Sequence, residues 1–193
     1  MGLMLDPACE YETFGDAVKV GKACDEQDFF WYEDSYRDGG NLTAHRPKTT
    51  GVNQYAVALD RTHPRTGTVY RFHRNEATDF IRADPEYDGG ITGAIKRARI
   101  AEGFGLDVEI HAPGPAHRHC IAAMRNANYY EVALVHPDCQ NTQPPIYRCG
   151  YSDMVDTIND EGYVEVPDGL GPGVEYDWEY IEEMQAGSVR VYE

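Results

Sequence analysis

The segment from Ala77 to Pro137 constrains the fold of this chain most strongly. It contains three short apolar runs, TDFIRADP, GLDVEIHAP and NANYYEVALV, which carry Asp84, His111 and Glu131 respectively. Two stretches with helical character, ITGAIKRARIAEGFG and AHRHCIAAMRNA, separate the runs. Alternation of short apolar strands with helices is typical of parallel βαβ units. We therefore predict an α/β fold in which this segment forms strand, helix, strand, helix and strand.

Asp84, His111 and Glu131 are candidate catalytic residues because of where they stand in this pattern. In parallel barrels the catalytic side chains come from the carboxyl ends of several strands. A histidine suits a general base because its unperturbed pKa is roughly 6.5, and an adjacent aspartate fixes its tautomer. The alternative interpretation is that Asp84 and Glu131 are acids in surface loops and that His111 caps a helix.

The N-terminal part repeats the same spacing. GLMLDP reads as a strand ending at Asp6, YETFGDAVKVGKACDEQ as a helix, and DFFWYED as a strand ending at Glu33. Asp6 and Glu33 are 27 residues apart, the same interval as Asp84 and His111. Mg²⁺ takes oxygen ligands, and carboxylates from neighbouring strands would supply them. Asp6 and Glu33 are therefore candidate metal ligands, with an exposed terminal acid and a loop acid as the alternative interpretation.

Four motifs occur together in this chain. Asp84 is followed by the run Gly89–Thr92, His111 stands in EIHAP, Glu131 stands in NYYEVAL, and GYVEVPDGLGPGVEYDW spans Gly162–Trp178. This combination resembles the barrel of the enolase superfamily, in its mandelate racemase and muconate lactonizing enzyme-like branch. The resemblance covers most of the chain except roughly residues 41–75.

The resemblance implies a site and a reaction. Asp84 and His111 would form a base dyad that abstracts or returns a proton next to a carboxylate. Mg²⁺ held by Asp6 and Glu33 would stabilise the enediolate, and Glu131 would face the substrate carboxylate and act as an acid toward it. The expected function is that of a Mg²⁺-dependent acid-sugar dehydratase or racemase, with a small sugar acid or other carboxylate as substrate.

The resemblance also implies an incomplete architecture. The chain has 193 residues, whereas a complete barrel needs about 250. We expect a partial TIM-type (β/α) barrel, roughly strands three to eight, over residues 1–140, and a C-terminal segment over 141–193 that would pack on a missing capping domain. The family's K-x-K base motif is also missing, since no lysine precedes Lys19. We therefore expect the chain to be impaired, and to form a homo-oligomer or to need the missing N-terminal half. The alternative is a non-enzymatic remnant of a broken gene, or a barrel fragment that needs a partner chain.

Residues 41–75 do not follow the family pattern. They are rich in Thr, Arg and His, and no glutamate occurs between Glu33 and Glu76, although the family places a third metal ligand near residues 58–61. Back-translation of ALDRTHPRTGTVYRFHR with free codon choice permits the peptide LLTEHTRGLEPYTDFIA in a frame shifted by one base. That peptide has strand character and a glutamate at the expected place. We hypothesise a compensated frameshift; a genuine insertion with Asp60 as the ligand is the alternative.

Composition narrows the partners and the compartment. With 33 acidic and 17 basic side chains the formal charge is −16, which argues against nucleic acid because phosphate binding requires clustered Lys and Arg. Such charge is tolerated in a high-salt cytoplasm, although a solvated acidic surface explains it as well. Five scattered cysteines favour reduced thiols in a cytoplasm. No apolar run approaches about 18 residues, so we expect no membrane span.

Overall fold

The computed structural model describes residues 2–35, 55–58, 78–132 and 146–187, the second of these ranges by its backbone alone. The strands in these ranges are β1 (Met4–Leu5), β2 (Trp31–Glu33), β3 (Tyr55–Ala58), β4 (Phe80–Ala83) and β5 (Asp107–Ile110). The helices are α1 (Phe14–Glu26), α2 (Gly90–Gly103), α3 (Pro115–Ala123) and α4 (Trp178–Glu183), with a 3₁₀ turn at Val155–Thr157. No helix within them is long and apolar enough to cross a membrane.

The five strands form one sheet in chain order, and every neighbouring pair is parallel. Helices connect β1 to β2 and β4 to β5, as parallel pairing requires. The α/β class predicted from the sequence is therefore confirmed. The described strands do not close into a barrel, so their assignment to strands three to eight of a barrel stays a prediction.

The sheet has one apolar face and one charged face, because successive side chains of a strand point to opposite sides. Ile81, Ala83, Val108 and Ile110 lie in one buried cluster with Ala94, Ala98 and Ala101 of α2. The intervening positions of β2, β4 and β5 carry a different set, which includes the buried residues Trp31, Glu33, Arg82 and Glu109. Burying a row of charged side chains is costly unless they are paired, and the pairs they form are described below.

Helix α2 packs against the sheet through small residues. Ala94, Ala98 and Ala101 are buried and recur at the spacing of one helix face. Its first turn comes close to the preceding loop at Gly93, where an added Cβ would lie 1.6 Å from the carbonyl oxygen of Asp88. Only glycine fits this position, so the helix begins in a fixed place immediately after the loop that follows β4.

One expected strand differs from the structure. The run NANYYEVALV has no strand pairing in its described part, residues 126–132. The Glu109 carboxylate accepts the backbone N–H groups of Asn128 and Tyr129, at 3.3 and 3.0 Å, so a side chain of β5 takes donors that a ladder would have used. The run GYVEVPDG of the C-terminal segment contains no described strand, and its Val164 forms an isolated antiparallel bridge with Ile158.

The irregular segment predicted at 41–75 contains β3, which lies in the sheet between β2 and β4. Its register pairs Glu33 with Ala56, and Ala58 with Arg82. Residues 41–54 and 59–75 lie outside the described residues, and these include Asp60. The choice between a frameshift and an insertion therefore stays open, as does the proposed ligand role of Asp60.

The C-terminal segment is anchored to α3 by one buried arginine. Arg118 Nη2 lies 2.7 Å from Asp153 Oδ1, and Arg118 Nη1 donates to the carbonyl of Glu165. The phenol groups of Tyr130 and Tyr151 also donate to Asp153, at 2.6 and 2.8 Å. Because Tyr130 precedes Glu131, this anchor also helps to fix the segment that carries a candidate site residue.

Candidate active site

The predicted site residues lie along the carboxyl edge of the sheet. Asp6 follows β1, Glu33 ends β2, Asp84 follows β4 and His111 follows β5. Because the strands are parallel, all of these positions lie at the same edge. The structure therefore places at one edge of the sheet four residues that are spread over more than half of the sequence.

Asp84 and His111 are in direct contact. Nδ1 of His111 lies 2.7 Å from Oδ2 of Asp84. The strands impose this proximity, because the register of β4 and β5 pairs Ala83 with Ile110, the two residues that immediately precede them. The Asp84 side chain is buried, whereas the His111 side chain is 22% exposed. A substrate can therefore reach the histidine while the carboxylate behind it stays shielded.

The groups around Asp84 keep it ionised. Burial alone would raise its pKa, but His111, His117 and the backbone N–H of Glu86 together hold the pKa well below the usual range. The N–H of Glu86 donates to Oδ1 at 2.6 Å. An ionised carboxylate only accepts hydrogen bonds, so Nδ1 of His111 carries the proton in this pair and Nε2 is the basic nitrogen.

Sequence reasoning missed the part that His117 plays. Its Nε2 lies 3.3 Å from Oδ1 of Asp84, and its side chain is almost fully buried. The alignment is poor for a hydrogen bond, and both ring nitrogens lack a well-formed one, so we regard the contact as electrostatic. The only sequence signal was a histidine in the first turn of the helix that follows His111.

A further ion pair supports the loop after β4. The backbone N–H of Asp84 donates to Oδ2 of Asp88 at 2.9 Å, and Asp88 Oδ1 lies 2.6 Å from Nη2 of Arg97. Arg97 belongs to α2 and is itself buried. The carboxylate that orients His111 is thus held from its own backbone by a second, paired aspartate.

Arg82 joins Glu131 to Glu33 on the charged face of the sheet. Its Nη2 lies 2.5 Å from Oε2 of Glu131, and its Nε lies 2.6 Å from Oε1 of Glu33. The same Glu131 oxygen accepts the N–H of Ala112, the residue after His111, at 3.0 Å. Glu131 therefore lies beside His111, although it does not belong to a described strand.

Arg82 was not a predicted site residue, but the sequence contained a signal for it. Arg82 and Asp84 are two positions apart on one strand and its continuation, so they point to the same side. The same alternation places Glu109 on the side of His111. If these strands are read with the two-residue period of a β-strand, the sequence predicts a row of charged side chains on one face of the sheet.

Glu33 is buried beside other carboxylates. Burial raises its pKa to about 8; the Arg82 guanidinium opposes the shift, while the charges of Asp34, Asp6 and Glu131 add to it. A buried carboxylate with one paired cation and three acidic neighbours holds its proton more tightly than a free one. Asp6 lies on the neighbouring strand, one position beyond the Leu5–Tyr32 pair, so it is next to Glu33 across the sheet.

The comparison with known families decides what this architecture is. Residues 1–180 match a family described as enolase C-terminal domain-like. The chain belongs to this family. The match covers both the parallel sheet and most of the C-terminal segment.

The individual proteins that the chain resembles include two dehydratases. L-rhamnonate dehydratase of Saccharopolyspora erythraea is 26% identical over 133 residues, which are 66% of this chain and 33% of that protein. D-glucarate dehydratase of Agrobacterium tumefaciens, complexed with magnesium, is 25% identical with a TM-score of 0.75, over 94% of this chain and 46% of that one. A mandelate racemase/muconate lactonizing enzyme of Polaromonas sp. JS666 is 23% identical with a TM-score of 0.57, over 65% of this chain and 34% of that one, and shows the fold alone. The chain thus spans at most about half the length of these three proteins.

The described residues do not fit the magnesium site that the enolase family implies. Mg²⁺ demands near-octahedral oxygen coordination. Within residues 2–35, 78–132 and 146–187, no three His, Cys, Asp or Glu side chains are grouped so that they could hold a metal ion. The contacting oxygen of Glu33 faces Arg82, and Oδ1 of Asp6 accepts the N–H of Ala8 at 2.7 Å. The metal-ligand roles of Asp6 and Glu33 therefore stay a prediction.

A cleft of about 620 Å³ lies beside the dyad but does not include it. It is formed by the first turns of α2 and α3 and by the C-terminal segment, with His117, Glu86, Tyr147 and Tyr176 among its lining residues. Neither Asp84 nor His111 lines it, so the Asp84–His111 pair lies at the edge of the sheet, outside this cleft.

Proposed function

We propose that the Asp84–His111 pair abstracts a proton from the carbon next to the carboxylate of an acid sugar. The contact of 2.7 Å between these two side chains, at the carboxyl edge of a parallel sheet, carries the proposal. Carboxyl edges are where α/β barrels hold their catalytic groups. Membership of the enolase family supports the reaction class, and the dehydratases among the relatives support the substrate class.

The protonation state of the pair supports a general-base role. Because Asp84 is held ionised, it keeps the proton of His111 on Nδ1 and leaves Nε2 to accept the substrate proton. The imidazolium formed by this transfer gains a charged hydrogen bond to Asp84, which stabilises it. His117 adds no competing base at the surface, because its side chain is almost fully buried.

Glu131 is proposed to face the substrate carboxylate and to act as an acid toward it. Oε2 of Glu131 accepts hydrogen bonds from Arg82 and from the N–H of Ala112, and these two contacts hold the side chain in place. Its side chain is 42% exposed, which leaves it accessible from the rim where His111 lies. The two groups would then contact the substrate from adjacent positions.

For magnesium we propose only that this chain binds it weakly. The related D-glucarate dehydratase is complexed with magnesium, but the described carboxylates of this chain do not form a comparable site. Affinity for hard cations depends on the number and charge of the ligands. Asp6 and Glu33 alone would therefore bind Mg²⁺ poorly, and no proposed step passes through the metal.

The test of the dyad is exchange of the α-proton with deuterated solvent. The chain is joined to the part of D-glucarate dehydratase that the match does not cover, and D-glucarate and L-rhamnonate are followed by proton NMR. We expect exchange in the joined protein and none in the 193-residue chain alone. His111→Ala should lower exchange by at least about 10²–10⁴-fold, the usual contribution of a general base.

His119→Ala provides the matched control for the exchange test. His119 lies on α3, and its Nε2 lies 3.2 Å from the carbonyl oxygen of Pro172, away from the dyad. This variant should exchange like the parent. A folded His111→Ala variant that exchanges as fast as the parent would contradict the proposal, as would exchange by the chain alone that EDTA abolishes.

A second candidate is a barrel fragment that works with a partner chain, either a copy of itself or a chain that supplies the part of the relatives that the match does not cover. The exposed apolar residues of the C-terminal segment favour it: Leu170 is 98% exposed, Trp178 63% and Met184 64%. Exposed apolar groups that form a patch are typical of surfaces that other chains cover. Light scattering at low salt should show oligomers or aggregates, whereas a monodisperse monomer that unfolds cooperatively would count against this candidate.

A further inference from the structure

Among the described residues, the guanidinium of Arg82 lies between carboxylates on the charged face of the sheet. It contacts Glu33 and Glu131 at 2.6 and 2.5 Å, and its central carbon lies 5.9 Å from the ring centroid of Trp31. The Arg82 side chain is 6% exposed. Guanidinium groups suit such positions because they are planar, always charged and less strongly hydrated than an ammonium. Arg82 is thus fixed from two sides by charge and from a third by an aromatic ring.

The contacts of Arg82 use the oxygens that a metal would need. Oε1 of Glu33 and Oε2 of Glu131 both face the guanidinium. A divalent ion binding there would either stand next to Arg82, where like charges repel strongly in a poorly solvated site, or displace it. Displacement would leave a buried arginine without its counter-ions, which is strongly unfavourable.

We propose that Arg82 is a resident cation that holds the Glu33 and Glu131 carboxylates and thereby keeps divalent metal ions out of this cluster. The positive charge at this cluster would thus come from the Arg82 side chain and not from a bound metal ion. This inference does not rest on the proposed proton transfer, because ion binding is measured without substrate.

The surroundings of Arg82 contain more negative charge than one guanidinium balances. Asp6 and Asp34 act electrostatically on Glu33, and Glu109 interacts with Arg82 from β5. Once Arg82 is replaced by a neutral residue, the Glu33 and Glu131 oxygens that face the guanidinium lose their shared cation. Two carboxylate oxygens that face one point attract a divalent ion, because carboxylates are the ligands that Mg²⁺ and Mn²⁺ prefer. Removing Arg82 should therefore create a cation site rather than only remove an ion pair.

The experiment titrates the full chain with Mn²⁺, followed by electron paramagnetic resonance of the unbound ion, and repeats the titration with Mg²⁺ by calorimetry. We expect the wild type to bind Mn²⁺ no more tightly than about 1 mM, and Arg82→Gln to bind one ion at least about tenfold more tightly. Arg82→Lys, which keeps the charge, should behave like the wild type. Arg82→Gln/Glu33→Gln should lose the gained affinity.

Arg97→Gln is the matched control, because Arg97 is also a buried arginine on the sheet–helix interface, and its ion pair is with Asp88 and not with Glu33 or Glu131. It should gain no comparable affinity, since Arg82 still occupies the Glu33 and Glu131 oxygens in this variant. An equal gain in Arg97→Gln would overturn the proposal. So would tight stoichiometric binding by the wild type, or a folded Arg82→Gln variant that binds no better than the wild type.

A measurement on the wild type keeps the proposal falsifiable even if Arg82→Gln does not fold. A ligand that binds only the native state stabilises it by RT ln(1 + L/Kd), where L is the free ligand concentration, and so raises its thermal midpoint. At about 0.1 mM MgCl₂, a site no tighter than about 1 mM adds almost nothing, so the midpoint should equal that in NaCl of the same ionic strength. A midpoint that Mg²⁺ raises above the matched-salt value, and EDTA restores, would show that Arg82 does not exclude the metal.

Discussion

Nδ1 of His111 lies 2.7 Å from Oδ2 of Asp84, although the two residues are 27 positions apart. One βα unit separates them, so that pairing of β4 with β5 is sufficient to bring the end of one strand beside the end of the next. The dyad therefore depends on strand register and not on a mobile loop. Loss of either side chain should change proton transfer without changing the sheet.

Asp84→Asn should weaken proton exchange less than His111→Ala. The base survives in this variant, but it loses the carboxylate that sets its tautomer and stabilises its charged form. We expect exchange in the joined protein to fall by about 10-fold to 10²-fold. Solvent exchange by NMR measures the effect, and ¹⁵N shifts of His111 should show a mixture of tautomers. An Asp84→Asn variant with unchanged tautomer and rate would show that Asp84 does not orient the base.

Glu33 should make the protein less stable as the pH rises. Its folded-state pKa of about 8 lies above the ordinary value of 4.5, so its contribution is complete below about pH 4.5 and is lost as the pH rises through 8. Between pH 5 and 8 the free energy of unfolding should fall by on the order of a few kcal/mol. Urea unfolding across this range measures the slope, and Glu33→Gln should flatten much of it.

Part of this slope should remain in Glu33→Gln, because burial also raises the pKa values of Asp88 and Glu109. Asp84 acts in a different window. Its lowered pKa means that its contribution is complete above the ordinary value of 3.8 and is lost only as the pH falls below it. A wild-type stability that rises steadily from pH 5 to 8 would contradict the assignment for Glu33.

Breaking the Arg118–Asp153 pair should release the C-terminal segment. Both side chains are buried, and removing one partner of a buried pair typically costs about 3–5 kcal/mol. Arg118→Met should therefore lower the free energy of unfolding by about that amount and speed proteolysis within residues 146–187. Arg148→Met is the control, because Arg148 pairs with Asp177 and Glu179 at an exposed site, where such pairs contribute about 0–1 kcal/mol. Equal effects of the two substitutions would argue against Arg118 as the anchor.

Gly93→Ala should destabilise α2, whereas Gly103→Ala should not. The methyl group at residue 93 would overlap the carbonyl oxygen of Asp88, so the helix or the loop after β4 must shift. We expect a loss of about 3 kcal/mol or more, in the upper range for overpacking. At residue 103 a methyl group meets nothing within 4 Å, and the higher helix propensity of alanine should stabilise by up to about 1 kcal/mol. Thermal unfolding of both variants gives the comparison.

Much of the strand and helix order was readable because its signals are local. The apolar runs before Asp6, Glu33, Asp84 and His111 predicted four strands, and the helical periods between them predicted α1 and α2. The prediction of a strand around Glu131 was wrong over residues 126–132, and the cause lies outside this segment. The Glu109 carboxylate on a different strand takes two of the backbone donors, and no pattern within NANYYEVALV reveals that competitor.

The sequence by itself determined the parallel α/β class and the carboxyl-edge positions of Asp84 and His111, since both follow from periodicity and spacing along the chain. The family resemblance rested separately on four motifs that occur together. The tertiary structure alone decided which charges meet. The pairing of Arg82 with Glu33 and Glu131, and the second histidine on Asp84, join residues from different elements. These contacts depend on sheet register and on the burial of charged side chains that must then find a counter-ion, and neither can be read from one segment.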